Sequence, residues 1–148
     1  MKKGKYRKGV FIVTYRIVGD KIQYLLLYRK LHWKGWEFPK GGVERFETRK
    51  RTAKRELFEE TGQHAISLKK YSIKGKYKYR KKFRDRPGLT GQTYRLFSAR
   101  IKNKKIIFDK KEHSGYKWVS YKKALNLLSF NDKKRCLKIV NEDLTKRR

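Results

Sequence analysis

Trp36-Glu37-Phe38-Pro39-Lys40-Gly41-Gly42-Val43-Glu44-Arg45-Phe46-Glu47 leads into Thr48-Arg49-Lys50-Arg51-Thr52-Ala53-Lys54-Arg55-Glu56-Leu57-Phe58-Glu59-Glu60-Thr61-Gly62. The first part is too broken by Pro and Gly for a helix and too aromatic for a merely solvated loop, so Leu31 to Gly42 reads as a structured loop. The second part has no Pro or Gly between Thr48 and Thr61. Thr48 can cap the helix start, and Gly62 suits the left-handed residue that ends one. Ala53 and Leu57, four apart, mark its apolar side, and this is the best-defined helix in the chain.

The same stretch concentrates negative charge in a chain that otherwise avoids it. Six of the thirteen acids are Glu37, Glu44, Glu47, Glu56, Glu59 and Glu60. Spacings of three and four bring Glu56, Glu59 and Glu60 over neighbouring turns, where like charges repel unless cations sit among them. Arg49, Lys50, Arg51, Lys54 and Arg55 can supply that charge on a solvated helix face. A hard divalent ion such as Mg²⁺, which takes carboxylate, carbonyl and water oxygens and bridges to phosphates, is the other solution. The preceding loop favours the ion: its glycines let the backbone approach an ion or phosphate, and Lys40 adds a point charge for a phosphate oxygen.

On the N-terminal side, Val10 to Val18 and Ile22 to Tyr28 read as a hairpin turning at Gly19-Asp20. On the C-terminal side, Ala65 to Tyr79 and Thr93 to Ile101 read as strands joined by a basic loop containing Arg86-Pro87-Gly88. Gly115 to Val119 is a short strand. Ser120 can cap a helix through Leu128 that buries Ala124, Leu125 and Leu128, and a last helix runs from Asn131 to about Leu144. This alternation implies a mixed α/β protein. At 148 residues a single domain over 1–148 is expected, with a frayed basic tail at about 145–148.

The net charge is +31, from 44 Lys and Arg against 13 Asp and Glu, while hydrophobic residues make up 37% and aromatics 14%. There are therefore enough apolar residues for a packed core, and anionic partners such as nucleotides, polyphosphates or nucleic acid are expected. A Lys-rich composition without a special ligand explains the charge equally well. The lone Cys136 excludes an internal disulfide and favours a reducing compartment. The basic start lacks a signal peptide's apolar stretch, and apolar runs fall far short of the roughly 20 residues of a membrane span. A soluble, cytoplasmic protein with no membrane partner is the expectation, its oligomeric state left open. His32, His64 and His113 make no zinc-ligand spacing with Cys136.

Gly41, Glu47, Arg55, Glu56, Leu57, Glu59, Glu60 and Gly62 match eight of the nine defined positions of Gly-x5-Glu-x7-Arg-Glu-U-x-Glu-Glu-x-Gly-U, where U is bulky and apolar. The chain thus resembles the Nudix hydrolases, departing only at the final U, which is Gln63. The resemblance implies an α/β/α sandwich with a mixed sheet. It implies metal ligation of Mg²⁺, with Mn²⁺ as a substitute, by Glu56, Glu59, Glu60 and the Gly41 carbonyl. Glu56 or a loop carboxylate is implied to position or deprotonate water, so that Glu56, Glu59 and Glu112 form the catalytic set. Glu47 and Arg55 are implied to pair and orient the catalytic helix.

The flanks bear on the substrate. Trp36 to Gly42 resembles the entry to the motif in diadenosine tetraphosphate hydrolases. Glu112 to Tyr121, with Leu128-Ser129-Phe130, resembles both those enzymes and bacterial RNA 5′ pyrophosphohydrolases. Gly91-Gln92-Thr93-Tyr94-Arg95-Leu96-Phe97 is similar to their Gly-Gln-x-x-Lys-Trp-Phe strand, with Leu96 departing from Trp. Glu112 is an extra ligand or general base, or else an exposed acid balancing Lys110 and Lys111. Tyr116 and Phe130 are faces for base stacking, or else rim packing. Lys40 and Arg95 are candidate phosphate contacts. The sequence narrowly favours a dinucleoside polyphosphate such as diadenosine tetraphosphate, whose second nucleoside the Trp33 and Trp36 loop could stack. A 5′-triphosphorylated RNA, tracked by the basic run Lys74 to Arg86, is the alternative. A nucleotide- or nucleic-acid-binding module without turnover is the reading of another class, and it leaves three mutually repelling glutamates without a purpose.

Overall fold

The computed structural model of the chain describes residues 5–79 and 87–146. β1 (Lys5–Val18) and β2 (Lys21–Arg29) form the expected hairpin, with Tyr15 opposite Tyr24 and Gly19 taking the turn at φ 62°. There follow β3 (Gly35–Glu37), β4 (Lys40–Gly42), α1 (Arg49–Thr61), β5 (Ser67–Lys78), β6 (Leu89–Arg100), β7 (His113–Val119), α2 (Tyr121–Leu127) and α3 (Asn131–Lys146). The sheet runs β3-β2-β1-β6-β5, with β4 joined to β1 and β7 to β2. β1 and β6 pair in parallel and the other ladders are antiparallel, so the sheet is mixed as expected.

Alternation along the central strand builds both layers. Val10 and Ile12 of β1 join Ala53 and Leu57 of α1 in one core, while Phe11, Val13 and Tyr15 join Cys136, Leu137, Val140 and Leu144 of α3 in the other. Helices cover both faces, which gives the α/β/α sandwich. None of the described helices is long and apolar enough to cross a membrane.

The structure differs from the sequence expectation at several edges. The loop of residues 31–42 contains β3 and β4, three residues each, too short to show a period of two. β5 starts at Ser67 rather than Ala65, β6 at Leu89 rather than Thr93, and β7 at His113 rather than Gly115. α3 continues through Lys146, so residues 145 and 146 of the expected tail are helical, and 147–148 lie outside the described residues. So do residues 80–86 of the basic run.

The ends of α1 are as read. Thr48 Oγ accepts from the Arg51 amide at 3.2 Å, and Gly62, at φ 74°, donates its amide to the Phe58 carbonyl at 2.7 Å. Gln63, where the family pattern asks for an apolar residue, is buried. Its amide oxygen accepts from the Lys102 amide at 3.0 Å, so hydrogen bonding to the 102–104 segment replaces apolar packing there.

Candidate active site

α1 delivers its carboxylates at the wrong end for an isolated helix. Glu56, Glu59 and Glu60 lie towards the C-terminus, where the backbone dipole is negative and no basic residue occupies the last turn. Arg55 offsets part of that charge. Its guanidinium grips Glu47 with two bonds, of 2.7 and 3.0 Å, donates to the Gly42 carbonyl at 2.9 Å and to Glu56 at 2.8 Å, and lies 3.3 Å from Glu59. Glu47 also accepts from the Thr52 hydroxyl and the Glu44 amide. The hydrogen bonds from Arg55 hold Glu47 down at about 2. The structure thus brings Glu47 and Arg55 together, tying the β4–α1 loop to the helix.

Glu56 is nearly buried, and a Cβ on Gly41 would collide with its carboxylate, so the glycine permits the two to meet. Burial, then the charge of Glu59, pushes the Glu56 carboxyl up to about 8. Burial likewise pushes Glu60 up. A cluster that resists ionisation on its own fits a divalent cation, and its all-oxygen donor set fits a hard one.

Glu112 approaches this cluster. One donor atom each from Glu60, Glu112 and His113 lies within 4.8 Å of the others. His113 is a site residue that sequence reasoning missed. It is 1% exposed, with Nε2 at 2.7 Å from Glu37 Oε2 and Nδ1 at 2.8 Å from Glu60 Oε2. Burial of the imidazole is outweighed by its hydrogen bond with Glu37 and its close approach to the Glu60 carboxylate, and its pKa is raised. Glu37, 1% exposed, further meets Arg29 at 3.1 Å and Lys40 at 3.4 Å. Burial would raise Glu37, but Lys40, His113 and Arg29 reverse this and keep it ionised. His113 opens β7, after β5 and β6, so its sequence spacing to the glutamates of α1 carries no local signal.

β4 joins this cluster to a cavity on the other face. Successive strand residues point oppositely, so Gly41 faces Glu56 while Lys40 reaches Trp33 and Tyr77, 5.9 and 5.6 Å from their ring centres. The cavity, about 920 Å³, is walled by Trp33, Tyr77, Tyr79 and Phe130 and by the cations Arg29, Lys34, Lys40, Lys76, Lys78 and Lys133; among the described residues Asp132 is its one acid. Trp33 and Phe130 meet edge to face at 5.3 Å, as do Tyr77 and Tyr79 at 6.1 Å. Lys133, 6% exposed, lies 4.0 Å from the Phe11 ring centre. Burial, then the charge of Lys40, lowers its pKa to about 7.

Of the expected substrate contacts, Lys40 and Phe130 line this cavity and Arg95 and Tyr116 do not. Arg95 pairs with Val10, on the α1 face of the sheet. Tyr116 pairs with Leu27 on that face, part-exposed beside Phe108.

Residues 5–138 match the NUDIX domain family. The chain is 31% identical over 136 residues to an RNA pyrophosphohydrolase of a Nitratiruptor species, covering 88% of each protein. It is 29% identical over 116 residues to an RNA pyrophosphohydrolase of Pseudomonas paraeruginosa, covering 71% of this chain and 73% of that one. The fold superposes on a C. elegans Ap4A hydrolase with a TM-score of 0.75 at 22% identity, over 95% of this chain and 98% of that chain. With the glutamate-bearing helix, the glycine beside it and the mixed sheet already in place, these matches establish that the chain belongs to the Nudix family and is a Nudix hydrolase of phosphoanhydride bonds.

Proposed function

We propose that the protein is an RNA pyrophosphohydrolase that shortens the 5′ triphosphate end of RNA with Mg²⁺, for which Mn²⁺ can substitute. The observation that carries this reading is the cavity that β4 joins to the carboxylates, where the described residues set six basic side chains against one acid around four aromatic rings. Aromatic faces stack bases with little regard to sequence, and ammonium groups beside them follow a phosphate backbone. The two relatives from P. paraeruginosa and Nitratiruptor, named RNA pyrophosphohydrolases, support the same substrate class.

In this reading Glu56, Glu59, Glu60 and the Gly41 carbonyl would hold the divalent ion. When bound, it would neutralise phosphate oxygens and lower the pKa of water. Lys40 binds a phosphate oxygen, Phe130 stacks a base, and Glu112 or Glu56 takes the proton from the attacking water. Arg55, through Glu47 and the Gly42 carbonyl, keeps the helix and loop at fixed separation. Arg95 and Tyr116 do not line the cavity and lie on the face of the sheet that α1 covers.

A dinucleoside polyphosphate, preferred on sequence alone, is the second reading. Two separate aromatic pairs, Trp33 with Phe130 and Tyr77 with Tyr79, supply stacking faces for two nucleosides. The deciding assay measures kcat/KM with Mg²⁺ on triphosphorylated RNA, diadenosine tetraphosphate and ADP-ribose, with Glu59→Gln as control. We expect RNA to be preferred and Glu59→Gln to lose most turnover, because a neutral amide ligates a hard cation poorly. Preference for the dinucleotide would replace the RNA reading, and an undiminished Glu59→Gln would overturn the metal-site assignment.

A further inference from the structure

His113 lies between two carboxylates that belong to different parts of the site. Its Nε2 faces Glu37 on β3 at 2.7 Å, and its Nδ1 faces Glu60 on α1 at 2.8 Å. All three residues are 1% exposed. The Nε2 contact is a directed hydrogen bond. The Nδ1 contact has ion-pair distance without in-line geometry, and among the described residues neither Nδ1 nor Glu60 Oε2 has another hydrogen-bond partner. Two buried polar atoms with no alternative partner are thereby committed to each other, since leaving either alone in the interior carries a desolvation penalty.

The far side of the histidine is braced just as firmly. Glu37 Oε2 also accepts from Arg29 at 3.1 Å, and Lys40 lies 3.4 Å from Glu37 Oε1. Arg29 is itself 3% exposed and donates to the Leu31 carbonyl at 2.7 Å. The imidazole therefore cannot turn without breaking a buried network anchored on β2, β3 and β4. Three strands define where the Glu60 carboxylate points, although Glu60 is carried on a helix.

We infer that His113 is a positioning residue: held on one nitrogen by Glu37, it uses the other to fix the Glu60 carboxylate in the orientation the metal centre needs. This deepens, and rests on, the reading of Glu60 as a metal ligand. The role is analogous to the outer partners of metal ligands generally, whose loss costs roughly 10–100-fold in metal affinity or activity. Lys40 and Arg29 also line the substrate cavity, so the same network joins the cavity wall to the metal-bearing helix.

The two nitrogens can be tested separately, because an asparagine amide nitrogen stands near Nδ1 and a glutamine amide nitrogen near Nε2. Binding of Mn²⁺ is followed by electron paramagnetic resonance in wild type, His113→Asn, His113→Gln and Glu60→Gln, with circular dichroism melting curves to establish that each variant is folded. His113→Gln, which keeps the Glu37 contact and loses Glu60, is expected to weaken Mn²⁺ binding about 10–100-fold. His113→Asn, which keeps a donor facing Glu60, should retain most of the affinity. Unchanged binding in His113→Gln, or equal losses in both folded variants, would overturn the positioning role. So would nitrogen hyperfine coupling showing the imidazole bound directly to Mn²⁺. Glu60→Gln separates this from the underlying reading: if it binds Mn²⁺ like wild type, the metal-ligand assignment itself has failed.

Discussion

Lys133 shows how a single side chain can matter for a reason that composition conceals. Among the described lysines and arginines only Arg29 and Lys133 are taken out of water, and Lys133 is 6% exposed, lining the cavity with its ammonium near the Phe11, Tyr77 and Tyr94 rings. Its pKa falls from 10.5 to about 7, from burial first and the charge of Lys40 second. Between those two values the unfolded chain binds the proton and the folded one releases it, so this group makes stability rise with pH across that window. Below pH 7 the residue is charged in both states and the burial cost is complete. Lys133→Met should therefore melt higher than wild type at pH 6, with the advantage shrinking as pH approaches 10; a constant difference across thermal melts at both values would contradict the depressed pKa. Spacing in the sequence made the Glu56, Glu59 and Glu60 cluster legible, while Gly41 and Glu112 were singled out only through the family resemblance. The sequence hid His113, Glu37 and Lys133, because what distinguishes them is burial and partners distant in the chain.

At the scale of elements, α1 was legible from its caps and its unbroken helical run, whereas β3 and β4 were not, since three residues cannot display a strand's alternation. Yet β4 divides the site, sending Lys40 to the cavity and Gly41 to Glu56. What fixes β4 to α1 is the Arg55 guanidinium, bound at once to Glu47, Gly42 and Glu56. Lysine keeps the charge but not the planar fork that makes several bonds at fixed angles. Arg55→Lys should thus lower kcat by roughly 10–100-fold, as expected for loss of an orienting partner, while KM changes little. Steady-state kinetics on the best substrate decides this; a kcat within about twofold of wild type would mean that the helix and loop hold their geometry without the fork.

The whole molecule carries +31 charges, and charge of that size alone attracts any polyanion. Composition therefore could not choose between RNA and a dinucleotide, and the fold does not choose either, because fold is shared across functions. The arrangement is more informative: β5 brings Lys76 and Lys78 to the cavity wall just before the basic segment of residues 80–86, so phosphates beyond the reacting ones have cations to meet. Each extra phosphate neutralised on a single strand should steepen the fall of log K with log salt by about 0.7. The most direct measurement is the affinity and kcat/KM of triphosphorylated oligoribonucleotides of two and eight nucleotides across a salt series, with wild type and a variant neutralised at Lys76 and Lys78. The RNA reading predicts tighter binding and a steeper salt slope for the longer oligonucleotide, with that gain reduced in the variant. Equal affinity and equal slopes at both lengths would contradict it.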